Sequence, residues 1–193
     1  MTVITETGPN IAVFCGARPG VHPDHLAFAH AFGRELALRG SGLVYGAGGV
    51  GVMGAVAQGV SDGGGAITGV VPSALRERER SDDPLGTIHV VATMHERKAL
   101  MYRLATGFAV LPGGIGTLDE VMEVLTWNQL GLMAKPVVVV NHGGFFDPLL
   151  NLLDHLVTQG FLARHERALI QTADAADDAC DRLCLRAPVV AAA

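Results

Sequence analysis

Three glycines stand a few residues before an acidic pair in Pro112-Gly113-Gly114-Ile115-Gly116-Thr117-Leu118-Asp119-Glu120. A short apolar run, Phe108–Leu111, precedes them and a helical pattern follows. Glycines let the backbone wrap closely around a ligand. The adjoining helix N-terminus offers unpaired N–H groups and a positive dipole end, which suits a phosphate. Glu120 then lies about one turn into that helix. A phosphate grip beside a carboxylate points to chemistry on a nucleotide or a sugar phosphate. The same residues also read as a capping box, T-x-x-E, with Thr117 as the cap and Glu120 reaching back to its N–H. The glycine loop ahead of Thr117 favours the ligand reading, because a plain cap needs no such loop.

A second group lies upstream in Met94-His95-Glu96-Arg97-Lys98. Arg97, Met101 and Leu104 fall at i, i+4 and i+7, so Arg97 shares a stripe with apolar side chains and is expected to point inward. A buried guanidinium needs an anionic partner. The candidates are the Glu120 carboxylate and a ligand phosphate. His95 and Glu96 read as ordinary first-turn residues, and the width of a base pocket should depend on Met94, Met101 and Trp127.

Two further loops end strand-like runs. In Cys15-Gly16-Ala17-Arg18, the Gly16 backbone and the Arg18 side chain could reach a phosphate. Gly46–Gly54 contains G-x-G-x-x-G, the pattern of a dinucleotide site. Such a site also calls for an acid some twenty residues on, at the end of the next strand. The sequence there is Gly69-Val70-Val71-Pro72-Ser73, without a carboxylate, so binding of a dinucleotide is disfavoured.

The elements that must position these residues alternate. Candidate strands are Ile11–Cys15, Gly42–Tyr45, Ala66–Val71, Ile88–Val91, Phe108–Leu111 and Pro136–Val140, with a weaker one at Ala168–Gln171. Helical patterns cover Pro23–Arg39, Gly51–Asp62, Met94–Thr106, Thr117–Leu130, Phe146–Gln159 and Ala173–Leu185. Most strands are continuously apolar, as parallel strands covered on both faces are. The fold class is therefore α/β, a Rossmann-like doubly wound parallel sheet of about seven strands in a single domain, residues 11–186. A flexible N-terminus, 1–10, and a tail, 187–193, are expected to flank it. Ligands of such sheets bind at the carboxyl ends of the strands. The segments after Cys15, Tyr45, Val71, Val91 and Leu111 should share one rim.

Composition narrows the classes. The chain has 193 residues, 49% hydrophobic and 17% charged, which suits one packed domain. A net charge of −5 gives no basic footprint for a nucleic-acid polymer. No apolar run is long enough to span a membrane. Three cysteines, Cys15, Cys180 and Cys184, make no complete disulfide set and no metal-ligand spacing, so the expected setting is cytoplasmic, with no metal.

These residues together resemble the LOG (Lonely Guy) family of cytokinin-activating enzymes, whose hallmarks are P-G-G-x-G-T-x-x-E and M-H-x-R-K. The first-strand Val13-Phe14-Cys15-Gly16 and the Gly48–Gly54 loop also match, and the likeness runs from about Ile11 to Gln171. The resemblance implies a Rossmann-like homodimer that hydrolyses the N-glycosidic bond of N6-modified AMP, yielding free base and ribose 5-phosphate without a cofactor. It implies Arg97 and Glu120 as the catalytic pair, and Gly113, Gly114, Gly116 and Thr117, with Ile115 among them, as the phosphate loop. Lys98 and Glu79 match substrate-binding positions, and Gly16 and Met94 join them as candidate contacts. Many members carry serine after the Cys-Gly pair, where this chain has Ala17-Arg18. A nucleotide-binding protein of the same fold without turnover is the alternative. Relatives are often labelled lysine decarboxylases, but a pyridoxal phosphate enzyme needs a Schiff-base lysine. This chain has only Lys98 and Lys135.

Overall fold

The computed structural model describes residues 8–76 and 85–184. Seven parallel strands form one sheet in the order β4-β3-β2-β1-β5-β6-β7. They are β1 (Asn10–Phe14), β2 (Gly42–Tyr45), β3 (Ile67–Pro72), β4 (Thr87–Val91), β5 (Gly107–Val110), β6 (Val137–Val140) and β7 (Ile170–Ala173). The helices are α1 (Asp24–Leu38), α2 (Gly51–Asp62), the short α3 (Ser73–Arg76), α4 (Met94–Leu104), α5 (Ile115–Gln129), α6 (Asp147–Thr158), the short α7 (Arg164–Arg167) and α8 (Ala176–Cys184).

Alternation within the strands divides the core into two layers. Ile11, Val13 and Cys15 turn toward α1, α2 and α8, while Ala12 and Phe14 turn toward α4, α5 and α6. Both layers are apolar, which accounts for the unbroken Val137-Val138-Val139-Val140 run. The strand order reverses between β1 and β5, so the loops leaving these two strands part and open a crevice.

The observed elements follow the expected ones with instructive departures. Asn10, expected in a flexible end, begins β1, because the Asn10 carbonyl accepts from Thr106 N at 2.7 Å. The last strand lies at Ile170–Ala173 rather than Ala168–Gln171, because α7 and its closing turn, Leu169 N to Glu166 O at 3.0 Å, occupy the approach. Helix α5 starts at Ile115, two residues before the expected Thr117. The remainder of the expected flexible ends, residues 1–7 and 187–193, lies outside the described residues. No helix among the described residues is long and apolar enough to cross a membrane.

Candidate active site

A cleft of about 800 Å³ opens where β1 and β5 diverge. Backbone bonds between loops build its floor. Gly16 N donates to Pro112 O at 3.0 Å, and Met53 N donates to Gly16 O at 3.0 Å, tying the ends of β1 and β5 to the start of α2. The lining includes Gly16, Met94, Arg97, Gly113, Gly114, Ile115, Gly116, Thr117 and Glu120, nine of the eleven residues singled out in the sequence. Glu79 lies outside the described residues. Lys98 lies beside the cleft rather than in its wall.

Helix α5 meets the cleft end-on. Its N-cap is Gly114, and Leu118 N donates to the Gly114 carbonyl at 3.1 Å, so helical bonding begins there. The capping-box reading of Thr117 and Glu120 is thereby overturned. Thr117 sits inside the first turn, only 3% exposed, with its Oγ1 against Gly113. A capping arrangement does exist one helix earlier. Thr93 Oγ1 accepts from Glu96 N at 3.1 Å, and Glu96 Oε2 accepts from Ala92 N at 2.9 Å. That box seats the first turn of α4, which carries Arg97.

The glycines of the α5 loop do different jobs. A Cβ at Gly113 would run into Thr117 Oγ1 and come within 2.8 Å of Gly16 N, so Gly113 lets two loops close on each other. Gly114 and Gly116 face open space, where a Cβ would meet nothing within 4 Å. The N–H groups of Ile115, Gly116 and Thr117 have no intrahelical acceptor, as in the first turn of any helix. The macrodipole adds positive potential at the same place.

Arg97 turns inward as its stripe predicted and is only 6% exposed. Its Nη2 donates to the Gly46 carbonyl at 3.1 Å, and its buried Nε has no acceptor. None of the ion pairs among the described residues involves Arg97 or Glu120, so the two charges meet through the cleft rather than in a direct salt bridge. Glu120 is half-buried at the cleft wall. Burial pushes its carboxyl up to about 7, against the opposing pull of Arg97; Asp119 raises it further. It is therefore poised to exchange a proton near neutral pH. Cys15 closes the floor, its thiol raised by burial and by the charge of Glu120.

Other expectations resolve differently. Glu123 faces α4 and accepts from Tyr102 Oη at 2.6 Å and Lys98 Nζ at 2.9 Å. Of the three residues expected to set base-pocket width, Met94 lines the cleft, Met101 is in the core, and Trp127 lines a separate shallow groove on α5. The segment after β3 does not reach the cleft among the described residues. His25 and Phe145 do, their rings edge-to-face at 5.6 Å, and sequence reasoning missed both. The Gly143-Gly144 pair after β6 was the available signal for Phe145, since it marks a tight turn on the same rim. No group of three or more His, Cys, Asp or Glu among the described residues is placed to hold a metal.

Comparison with known proteins gives this geometry its relatives. The family model described as "Possible lysine decarboxylase" matches residues 53–183. The cytokinin riboside 5′-monophosphate phosphoribohydrolase LOG of Oryza sativa subsp. japonica is 46% identical over 86% of this chain and 69% of its own length. The chain belongs to the LOG family. A second LOG relative, LOG4 of Arabidopsis thaliana, which carries the same enzyme name, is 43% identical over 90% of this chain and 80% of its own. Among solved structures, the molybdenum cofactor carrier protein of Chlamydomonas reinhardtii superposes with a TM-score of 0.67. It covers 90% of this chain and 94% of the carrier, at 20% identity, a likeness of fold.

Proposed function

We propose that this chain hydrolyses the N-glycosidic bond of N6-substituted adenosine 5′-monophosphates, and of AMP itself, to free base and ribose 5-phosphate. The observation that carries the reading is the placement of Glu120, half-buried in the cleft wall about one turn behind the N-terminus of α5, which opens onto the same cleft. The names of the LOG relatives support it.

The first-turn N–H groups of α5 hold the 5′-phosphate, and the open faces of Gly114 and Gly116 leave room for it. The ribose then lies over Glu120. As the bond from C1′ to the purine nitrogen breaks, positive charge builds on the sugar, as in glycosidases. The Glu120 carboxylate stabilises that charge and takes a proton from the attacking water, whose oxygen joins C1′. The departing purine takes its proton from solvent. Arg97 does not supply it, because a guanidinium keeps its protons in proteins. The Arg97 charge, in the cleft wall, instead orients the Glu120 carboxylate or polarises the departing purine.

The family model's decarboxylase description requires a lysine for pyridoxal phosphate, and the residues present do not fit that group. Lys98 Nζ is engaged by Asp119 and Glu123 at 3.1 and 2.9 Å. Lys135 Nζ donates to the carbonyls of Tyr102 and Ala105, each at 2.6 Å, where it closes the C-terminus of α4. Neither lysine lines the cleft.

The working unit in this reading is a homodimer. Ile115 is 82% exposed at the start of α5, and Leu118, Met122 and Trp127 continue an apolar groove of about 520 Å³ along the helix. The net charge of −5 supports a small nucleotide rather than a polymer as partner, and the buried, free Cys15 thiol supports a cytoplasmic setting.

The test is product analysis. Purified protein is incubated with AMP and with N6-isopentenyl-AMP, and the products are separated by chromatography. Free base and ribose 5-phosphate in equal amounts are expected. Nucleotide binding without base release from either compound would replace the enzyme by a carrier of the same fold.

A further inference from the structure

Beside the cleft, α4 and α5 are joined by a ladder of four polar side chains. Lys98 and Tyr102 stand one turn apart on α4, and Asp119 and Glu123 stand one turn apart on α5. Lys98 Nζ donates to Asp119 Oδ2 at 3.1 Å and to Glu123 Oε2 at 2.9 Å. Tyr102 Oη donates to the same Glu123 oxygen at 2.6 Å. Each helix carries its reactive candidate next to a rung, Arg97 beside Lys98 and Glu120 beside Asp119.

Tyr102 is the rigid member of the ladder. Its ring is 3% exposed and meets Trp127, Phe108 and Phe14 edge-on, with centroids at 5.5, 5.7 and 6.0 Å. A hydroxyl so fixed holds the Glu123 carboxylate in one place. Lys98, whose single charge serves two carboxylates, is then left in position to hold Asp119 as well.

We infer that Tyr102 is a positioning residue for the candidate site, fixing Glu123 and Lys98 and through them the place and charge state of Glu120. The inference rests on the proposed role of Glu120 in glycosidic cleavage. Among the described residues, the charged and titratable groups that act on Glu120 are Arg97 and Lys98 from α4, which favour its ionised form, and Asp119 and Glu123 from its own helix, which oppose it. Cys15 and Tyr102 face it as neutral groups, each held protonated by burial. Removing the Tyr102 hydroxyl leaves the Glu123 charge less neutralised and draws Lys98 toward it, away from Asp119. Both changes make Glu120 harder to ionise. Removing the Glu123 charge does the opposite.

Two variants with opposite expected signs test this. The Glu120 carboxyl is followed by carbon NMR in glutamate-labelled protein and assigned by its absence in Glu120→Gln. Its titration midpoint is expected to rise by roughly 0.3–1 pH unit in Tyr102→Phe and to fall by a similar amount in Glu123→Gln. The acid limb of kcat should move in the same two directions, with KM for AMP unchanged. Midpoints that stay put, or that move together in both variants, overturn the positioning role and leave Tyr102 a packing residue. The NMR readout needs no turnover. If the wild-type protein releases no base, the proposed function fails while the positioning role is still decided.

Discussion

The Arg97 guanidinium donates to the carbonyl of Gly46 at 3.1 Å, across 51 residues of chain. The loop that begins at Gly46 carries the spacing of a dinucleotide fingerprint, yet here its first glycine makes room for an arginine. A Cβ at Gly46 would collide with Arg97 Nη2. The far end of a side chain can move aside, but moving this one gives up its bond to the Gly46 carbonyl and shifts the guanidinium within the cleft wall.

Gly46→Ala should therefore act on Arg97. The expected outcome is a fall in kcat/KM of about 100-fold and a loss of roughly 1–3 kcal/mol of stability. Steady-state kinetics and urea unfolding check the two parts. Wild-type kinetics in this variant would show that the position of Arg97 is irrelevant to turnover.

The two kinds of glycine in the α5 loop should separate folding from binding. Gly113→Ala is expected to destabilise the protein, since its Cβ meets Thr117 Oγ1 and lies 2.8 Å from Gly16 N. Gly116→Ala adds a methyl group to open space in a helix, so its melting temperature should hold or rise by the equivalent of about 0.5 kcal/mol. Its KM for AMP should nonetheless rise about 10-fold or more, because the methyl group would intrude on the proposed phosphate site. An unchanged KM would place the phosphate elsewhere.

Glu120 gives activity and stability opposite dependences on pH. The proposed mechanism uses the carboxylate, so kcat should climb as pH rises through about 7. The folded carboxyl titrates near 7 and the unfolded one near 4.5, so the folded state holds the extra proton between these values. Stability consequently falls as pH rises across that window, and the full cost remains above it. Glu120→Gln carries no such cost. Its stability relative to wild type should be near zero at pH 4.5 and favourable by about 1–3 kcal/mol at pH 8. Chemical denaturation at the two pH values checks the sign; equal differences at both would contradict a buried, raised carboxyl.

Much of the fold was legible because its signals are local. Val137–Val140 announces a strand covered on both faces, and the stripe of Arg97, Met101 and Leu104 announces an inward arginine. The glycine loop before Glu120 gave the cleft its centre. What escaped depends on contacts between segments far apart in the chain. T-x-x-E at Thr117 and at Thr93 look alike as sequence, yet only the second caps a helix, because Gly114 already supplies the first helical carbonyl of α5. Glu123 reads as a surface acid until α4 brings Lys98 and Tyr102 to it. Phe145 enters the cleft only because β6 lies beside β5 in the sheet.

The central claim is that Glu120 acts on the bond between ribose and base while the glycine loop holds the phosphate. The most direct measurement pairs the rate of base release from AMP with the affinity for AMP, in wild type and in Glu120→Gln. The account predicts base release slowed by about 100- to 10,000-fold, with affinity changed no more than a few-fold. Base release by Glu120→Gln at the wild-type rate would contradict it.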